Sequence, residues 1–237
     1  MSTTVVASAL CDETLARLEE LGTPQNRKVY PRHGVKGPLF GVSYANLRKL
    51  AKRLAPDHRL AVELWSSGNH DARVLAAMVD DPSRISEQTL RDRLADVDNY
   101  VLADALASLV GRTGLRDEVA GDWTTDPEDE WTGTVGWSLV AAQALDGERH
   151  LSEEYFTERL SYIERNIGVA ANRVRHSMNG ALIAIGCRSR ELRKAAEQAA
   201  VRIGKVKVDH GQTSCKTPDA LPYLARVWSR KTKGRSS

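Results

Sequence analysis

Residues 98–110 read DNYVLADALASLV, and the pattern in this segment decides the fold class. Apolar side chains such as Leu102, Leu106 and Leu109 recur every three or four residues, which places them on one face of an α-helix. A strand with one buried face would instead alternate apolar and polar residues. The segment therefore predicts an amphipathic helix.

Segments of the same kind follow one another along the chain, separated by residues that begin or end helices. The predicted helices cover residues 8–21, 43–54, 57–66, 69–79, 86–95, 98–110, 115–123, 127–145, 152–166, 170–186, 189–203 and 217–230. Two amphipathic helices in roughly every 30–45 residues are typical of helical repeat proteins. We therefore expect an all-α fold, a HEAT-like α-solenoid of stacked antiparallel helix pairs that forms a single curved domain.

This domain is expected to span residues 1–237, with an N-terminal helix and linker over residues 1–30 and a flexible basic tail over residues 229–237. A loop rich in glycine and proline is predicted between the first two helices, and the spacing of Gly37 and Gly41 indicates that the ring of Phe40 anchors it. Residues 205–208 resemble a strand but are too few to found a sheet.

The composition favours a helical protein that is neither exported nor embedded in a membrane. Of the 237 residues, 41% are hydrophobic and only 5% aromatic. Neither the first ten residues nor any later apolar run resembles a signal peptide or a transmembrane helix. Cys11, Cys187 and Cys215 lie far apart without a Cys-x-x-Cys pair, so no disulfide framework or closed zinc site is predicted. A cytoplasmic location is expected.

Positive charge is concentrated in the C-terminal third. Residues 151–237 contain 17 Lys and Arg against 8 Asp and Glu, a net charge of +9, whereas residues 1–150 carry a net charge of −6. Basic side chains there, Arg173 and Arg175 among them, are predicted to line a phosphate-binding surface. The alternative is that they complement the negative ends of helix dipoles.

Asp104 and Tyr100 lie one helical turn apart, so the helix can present a carboxylate and an aromatic ring on one face. Such a pair can stabilise a positive charge that develops on a substrate. The alternative is an ordinary exposed aspartate beside a half-buried tyrosine.

Several motifs resemble, in order and spacing, those of the DNA alkylation repair family of AlkD-type HEAT-like proteins. They are GPLFGV at residues 37–42, NLRKLAK at 46–52, ELW at 63–65, HDAR at 70–73 and the segment 98–104. Two further segments, VRHSMN at 174–179 and GKVKVDHGQTSCKTPDA at 204–220, resemble a branch of the family with this C-terminal motif. The resemblance extends over residues 32–223.

The resemblance implies a basic concave face that holds duplex DNA. In active members it also implies excision of cationic N3- or N7-alkylated purines without flipping the base into a pocket. A cationic base is already a good leaving group, so the enzyme needs mainly to stabilise an oxocarbenium-like sugar. Asp104 aligns with the family's catalytic aspartate and Tyr100 with one of its two catalytic tryptophans. Arg48 and Lys52 become candidate contacts to the DNA backbone, although they also fit a solvated helix face.

Two other positions depart from the family pattern. The alignment places Thr134 where the family has a phosphate-binding arginine, and Gly180 where the second tryptophan stands. Thr134 can donate one hydrogen bond to phosphate, but it supplies neither charge nor a bidentate fork. Trp131 or Trp137 is a candidate to replace the lost ring.

Two functions therefore stay open. One is a DNA glycosylase for alkylated purines that acts through Asp104 and Tyr100. The other is a non-catalytic HEAT-like module that binds duplex or distorted DNA, or a protein partner, and Thr134 and Gly180 favour it. The expected partner is double-stranded DNA, alkylated or distorted, and the protein is expected to be a monomer without a cofactor.

A metal site is the weaker hypothesis for the C-terminal motif. Asp209, His210 and Cys215, with Cys187 as a further ligand, carry groups that bind zinc, but their spacing matches no standard site. The simpler interpretation is a turn in which Gly211 permits the bend and Cys215 packs inside. No metal is predicted.

Overall fold

The computed structural model describes residues 8–147 and 151–233. Within these residues the chain is predominantly helical, with no strand and one isolated antiparallel bridge between Gly22 and Val42. Residues 205–208 are irregular. The all-α prediction is confirmed.

The described chain divides into two compact units, and the first runs to Arg116 and also includes Gly211–Thr213. Its helices are α1 (Ala9–Leu21), α2 (Pro24–Val29), α3 (Tyr44–Leu54), α4 (His58–Ser66), α5 (His70–Val79), α6 (Glu87–Ala95) and α7 (Tyr100–Val110). Helix α8 (Arg116–Asp122) begins at the end of this unit. The second unit contains α9 (Glu130–Leu145), α10 (Glu153–Asn166), α11 (Asn172–Gly186), α12 (Arg190–Ile203) and α13 (Ala220–Lys233).

Side-chain caps fix where most of these helices begin. Ser43, Asn99 and Ser189 each accept a hydrogen bond from a backbone N–H in the first turn of the following helix, at 3.1–3.3 Å. Such a cap satisfies one of the four N–H groups that a helix N-terminus leaves without a partner. The predicted starts therefore agree with the observed ones to within a few residues.

Two segments differ from the sequence predictions. The loop predicted between the first two helices contains α2 and a 3₁₀ turn, Tyr30–His33, because Thr23 caps α2 and Pro24 suits its first turn. Helix α13 continues to Lys233, so the tail predicted from residue 229 starts as helix. Residues 1–7 and 234–237, which belong to the predicted terminal segments, lie outside the described residues.

Helix α5 forms the centre of the first unit, where it packs against α3, α4 and α7. Its apolar residues from Ala72 to Val79 are almost all buried. Trp65 of α4 is also in this core, with 6% of its surface exposed and its indole N–H donating to Asp96 at 2.8 Å. The faces of α3 and α7 that do not contact α5 carry exposed residues, such as Arg48 on α3 and Asp104 on α7.

Helix α11 has the same central position in the second unit, where α9, α10, α12 and α13 pack against it. Its closest neighbour is α9. A Cβ atom added at Gly133 would lie 2.8 Å from the Val174 side chain, and one at Gly136 would lie 2.4 Å from the Trp123 carbonyl oxygen. Gly133 therefore permits a close approach of α9 to α11, and Gly136 permits a close approach of α9 to Trp123. Larger residues at these positions would prevent both contacts.

Candidate nucleic-acid interface

The outer face of α7 carries the predicted catalytic pair. Tyr100 is the first residue of α7, and Asp104 follows one turn later. The Asp104 side chain is exposed, whereas Tyr100 is half-buried. The Tyr100 hydroxyl forms a hydrogen bond with Nδ1 of His33, and their ring centroids lie 5.9 Å apart. A residue outside α7 therefore fixes the direction of the Tyr100 ring.

An open groove of about 550 Å³ runs between α3 and α7. Arg48 and Lys52 of α3 line one side of it, and Ser108 of α7 and Arg112, in the turn that follows α7, line the other. Arg112 donates from Nη2 to the carbonyl oxygen of Ala77 at 2.6 Å, which holds its guanidinium at the groove. The structure thus brings the predicted Arg48 and Lys52 together with a third cation that sequence analysis did not single out. Asp104 lies one turn before Ser108 on the same helix.

A smaller cavity of about 220 Å³ adjoins the groove, and Tyr44 lines both hollows. Five rings surround it: those of Tyr30, His33, Tyr44, His70 and Tyr100. Its apolar walls come from Val35, Leu47, Val74 and Val101. Sequence analysis missed this cavity because its rings come from four separate segments of the chain that only the fold brings together.

The rings of the cavity are held by hydrogen bonds and edge contacts. Tyr30 donates its hydroxyl to the carbonyl oxygen of Val42 at 2.6 Å, and its ring meets His70 edge-on at 6.0 Å. Burial raises the pKa of Tyr30, with a further contribution from nearby Asp71. Burial also lowers the pKa of His70, so its imidazole is neutral at pH 7. His70 therefore contributes no positive charge to the cavity wall at that pH.

Asp71 fixes the loop that borders the cavity. Its carboxylate is fully buried and accepts hydrogen bonds from the backbone N–H groups of Phe40, Gly41 and Val42 at 2.7, 2.9 and 3.0 Å. Gly41 adopts φ +78°, which other residues rarely do. A carboxylate on α5 therefore holds the loop backbone, and the anchoring role of the Phe40 ring stays a prediction. An acid in the first turn of the largely apolar helix HDARVLAAMV was the signal that could have indicated this carboxylate.

In the second unit, Thr134 does not lie on a surface. Only 3% of its surface is exposed, so its burial in α9 argues against the predicted phosphate contact. Gly180 of α11 is exposed, and nothing lies within 4 Å of an added Cβ atom, so the position is open but carries no ring. Trp137 is fully buried beside Tyr162, with ring centroids 5.6 Å apart, and it cannot replace the missing ring.

Arg173 and Arg175 lie on the first turn of α11, and both are half-buried. Arg175 donates from Nε to the carbonyl oxygen of Ala170 at 2.7 Å. Arg173 approaches Nδ1 of His210 at 3.4 Å. Each guanidinium is therefore engaged within the second unit.

The two C-terminal motifs meet along α11. Asn172 exchanges two hydrogen bonds of 2.8 Å with the backbone of Asp209, and Asn179 donates to the carbonyl oxygen of Pro218 at 2.9 Å. These side chains satisfy backbone groups of a segment that has no regular secondary structure. Hydrogen bonds therefore attach the motif VDHGQTSCKTPDA to α11 near both of its ends, at Asp209 and at Pro218. We call residues 209–218 the strap.

Between these two ties, the hydroxyl of Thr217 bridges two imidazoles, 3.1 Å from Nδ1 of His176 and 2.9 Å from Nε2 of His210. The rings of the two histidines meet edge-on at 5.4 Å. Burial lowers the pKa of both histidines, and Arg173 lowers both further. At neutral pH one imidazole donates to the hydroxyl and the other accepts from it, which satisfies all three groups.

The alternative of a metal site is not supported in this segment. Within residues 8–147 and 151–233, no three or more His, Cys, Asp or Glu side chains gather as metal ligands would. Cys187 is buried, whereas Cys215 is exposed and does not pack inside as its alternative interpretation required. None of the described helices is long and apolar enough to cross a membrane.

Three comparisons relate this chain to known proteins. A family model described as DNA alkylation repair enzyme matches residues 14–224. An uncharacterized protein of Listeria innocua is 31% identical over 226 residues, which cover 92% of this chain and 97% of the relative. A second, from Listeria monocytogenes, is 30% identical over the same shares.

A solved structure also resembles the chain closely. It belongs to a new family of proteins related to the HEAT-like repeat DNA glycosylases, with affinity for branched DNA structures. Its TM-score is 0.83 at 25% identity, and the match covers 93% of this chain and 94% of that one.

Proposed function

Because the chain belongs to the DNA alkylation repair enzyme family, we propose that it binds branched or otherwise distorted double-stranded DNA through the groove between α3 and α7. The observation that carries this proposal is the convergence of Arg48, Lys52 and Arg112 on one open groove. Cations that neutralise phosphates supply most of the affinity in non-specific DNA binding. The branched-DNA affinity described for the structural relative supports the choice of ligand.

The groove fits a phosphate backbone in its arrangement of donors. Arg48 and Lys52 are exposed and follow each other by one turn along α3, about 6 Å apart along that face. Across from them, Arg112 is held in place by Ala77, so it loses less freedom on binding than an unrestrained side chain. Arg173 and Arg175 add positive charge in the second unit and are proposed as further backbone contacts.

Salt dependence tests this proposal. We expect the affinity for a four-way junction to fall steeply between about 50 and 200 mM salt, and Arg48→Ala and Lys52→Ala each to reduce the slope by about one. Arg53→Ala is the matched control, because Arg53 belongs to the same helix but lines a different hollow together with α1. Affinity that does not change with salt, or an equal effect of Arg53→Ala, would contradict binding at this groove.

Excision of alkylated purines is the second candidate function, and Asp104 is the observation that favours it. The Asp104 carboxylate lies exposed on the helix that lines the groove, where it can stabilise a positive charge that develops on a substrate. The Tyr100 ring at the preceding turn offers an aromatic face to the same charge. Of the four positions that the family resemblance implies, Asp104 and Tyr100 keep a suitable side chain, whereas Thr134 is buried and Gly180 has no side chain.

The assay is release of 7-methylguanine and 3-methyladenine from methylated DNA. If the protein is a glycosylase, Asp104→Asn should lower the rate roughly a hundredfold, about 3 kcal/mol, while DNA affinity stays nearly unchanged. Tyr100→Ala should cost less, about 1–2 kcal/mol. No release by the wild-type protein above background would reject excision and leave DNA binding as the function.

A further inference from the structure

We propose that the ring-lined cavity beside the groove receives a single unstacked nucleobase of the bound DNA. This inference rests on the proposed DNA binding and goes beyond it, because the groove reads only the backbone. It also departs from excision without base flipping, which is what the family resemblance implies. Base capture would give the protein a direct way to recognise DNA that contains unpaired bases.

The lining of the cavity suits a nucleobase. The rings of Tyr30, Tyr44 and Tyr100 offer faces and edges on which a base can stack, and every base has such a face. The valine and leucine side chains behind them exclude water. The volume of about 220 Å³ is below the roughly 300–1,000 Å³ of pockets for drug-sized molecules, so it suits one ring system better than a whole nucleotide.

The cavity is largely formed before any ligand binds. Tyr30 is tied to Val42, Tyr100 is tied to His33, and the loop beside them is tied to Asp71. Stacking surfaces held in this way do not pay the ordering cost that a flexible site would. Tyr44 differs, since 56% of its surface is exposed at the mouth of the cavity.

The position of Tyr44 connects the cavity to the backbone-binding groove. Tyr44, Arg48 and Lys52 follow each other at one-turn intervals along the outer face of α3. Tyr44 lines both hollows, and Arg48 and Lys52 line only the groove. A strand whose phosphates contact Arg48 and Lys52 therefore passes the mouth of the cavity, and a base that has left the helical stack can enter beside the Tyr44 ring.

The test separates a base from the distortion that exposes it. One duplex carries a single-nucleotide bulge, and the other carries an abasic bulge with the same backbone but no base. We expect the wild-type protein to bind the base-bearing bulge at least about tenfold more tightly, the loss typical of one base–aromatic stack. Equal affinity for the two bulges would overturn the inference.

Substitutions at Tyr44 and Val101 locate the effect. Tyr44→Ala should abolish the preference for the base-bearing bulge, whereas Tyr44→Phe should keep it. The control is Tyr223→Ala, at an exposed tyrosine of α13, which should leave the preference unchanged. Val101→Trp should also abolish the preference, because the larger side chain fills the cavity from α7. A preference that survives both Tyr44→Ala and Val101→Trp would place recognition elsewhere.

The same titrations distinguish the inference from the function on which it rests. If Arg48→Ala and Lys52→Ala reduce the salt slope while the two bulges bind equally, the groove binds DNA and base capture is wrong. If the wild-type protein binds neither bulge, nor a matched duplex or a junction, both proposals fail.

Discussion

The two units differ in what fills their centres. The first contains buried acids within its apolar core: Asp71 holds the loop over residues 40–42, and Asp80 pairs with Arg93 at 2.5 Å and with His58 at 2.8 Å. The second is built on close apolar contact of α9 and α11, which Gly133 allows. Buried charges hold irregular segments in fixed positions, and the first unit contains both the groove and the cavity. In the second unit, close packing of α9 buries Thr134.

The largest expected effect concerns Asp71. Asp71→Asn replaces one acceptor by a donor that faces a backbone N–H, and it should lower the free energy of unfolding by on the order of 3 kcal/mol. Urea unfolding followed by circular dichroism measures this. Asp92→Asn is the control, since Asp92 is exposed on α6 and should change stability by less than about 0.5 kcal/mol. A similar effect of the two variants would mean that buried acids do not distinguish the first unit.

The next effect separates two glycines of the second unit. Gly136→Ala should destabilise by about 1–3 kcal/mol, because its Cβ atom would lie 2.4 Å from a backbone oxygen that has no room to move. Gly180→Ala should instead stabilise by about 0.5–1 kcal/mol, since its Cβ atom meets nothing within 4 Å on an exposed helix face. The same unfolding measurement applies. If Gly136→Ala and Gly180→Ala both destabilise the protein, then close packing is not a property specific to the glycines of α9.

The smallest effect depends on pH and concerns the strap on α11. Burial lowers the pKa of His176 and His210, so the unfolded chain binds more protons than the folded one below about pH 6.5. The stability that these histidines contribute is complete above that pH and is lost as the pH falls through their folded-state pKa values. Arg173 favours the neutral forms of both, and Asp209 opposes it at His210.

Thr217→Val isolates this contribution from that of His70 in the first unit, whose pKa is also lowered. We expect it to cost about 1 kcal/mol at pH 8, and less once the pH has fallen below the folded-state pKa values of His176 and His210, because protonated imidazoles no longer accept from the hydroxyl. Thr157→Val, at an exposed position of α10, should have the same effect above and below those pKa values. If the loss of stability caused by Thr217→Val does not depend on pH, then His176 and His210 do not contribute to stability through the Thr217 hydroxyl.

The sequence by itself determined the order and approximate bounds of the described helices other than α2. Capping residues such as Ser43 and Asn99 and the spacing of apolar residues act within a few neighbouring residues, so they can be recognised without a fold. They also determined that Asp104 and Tyr100 belong to one helix and that Arg48 and Lys52 share a face of another. The family resemblance rested on the same short segments.

Only the tertiary structure decided which of these residues form a site. Thr134 is buried where Gly133 lets α9 approach α11, and local sequence does not show which face of a largely apolar helix meets solvent. The cavity joins rings from residues 30–33, 44, 70 and 100, whose separation in sequence is closed only by the packing of α3, α5 and α7. Arg112 became a groove residue for the same reason: its place depends on the carbonyl of Ala77, which belongs to another helix.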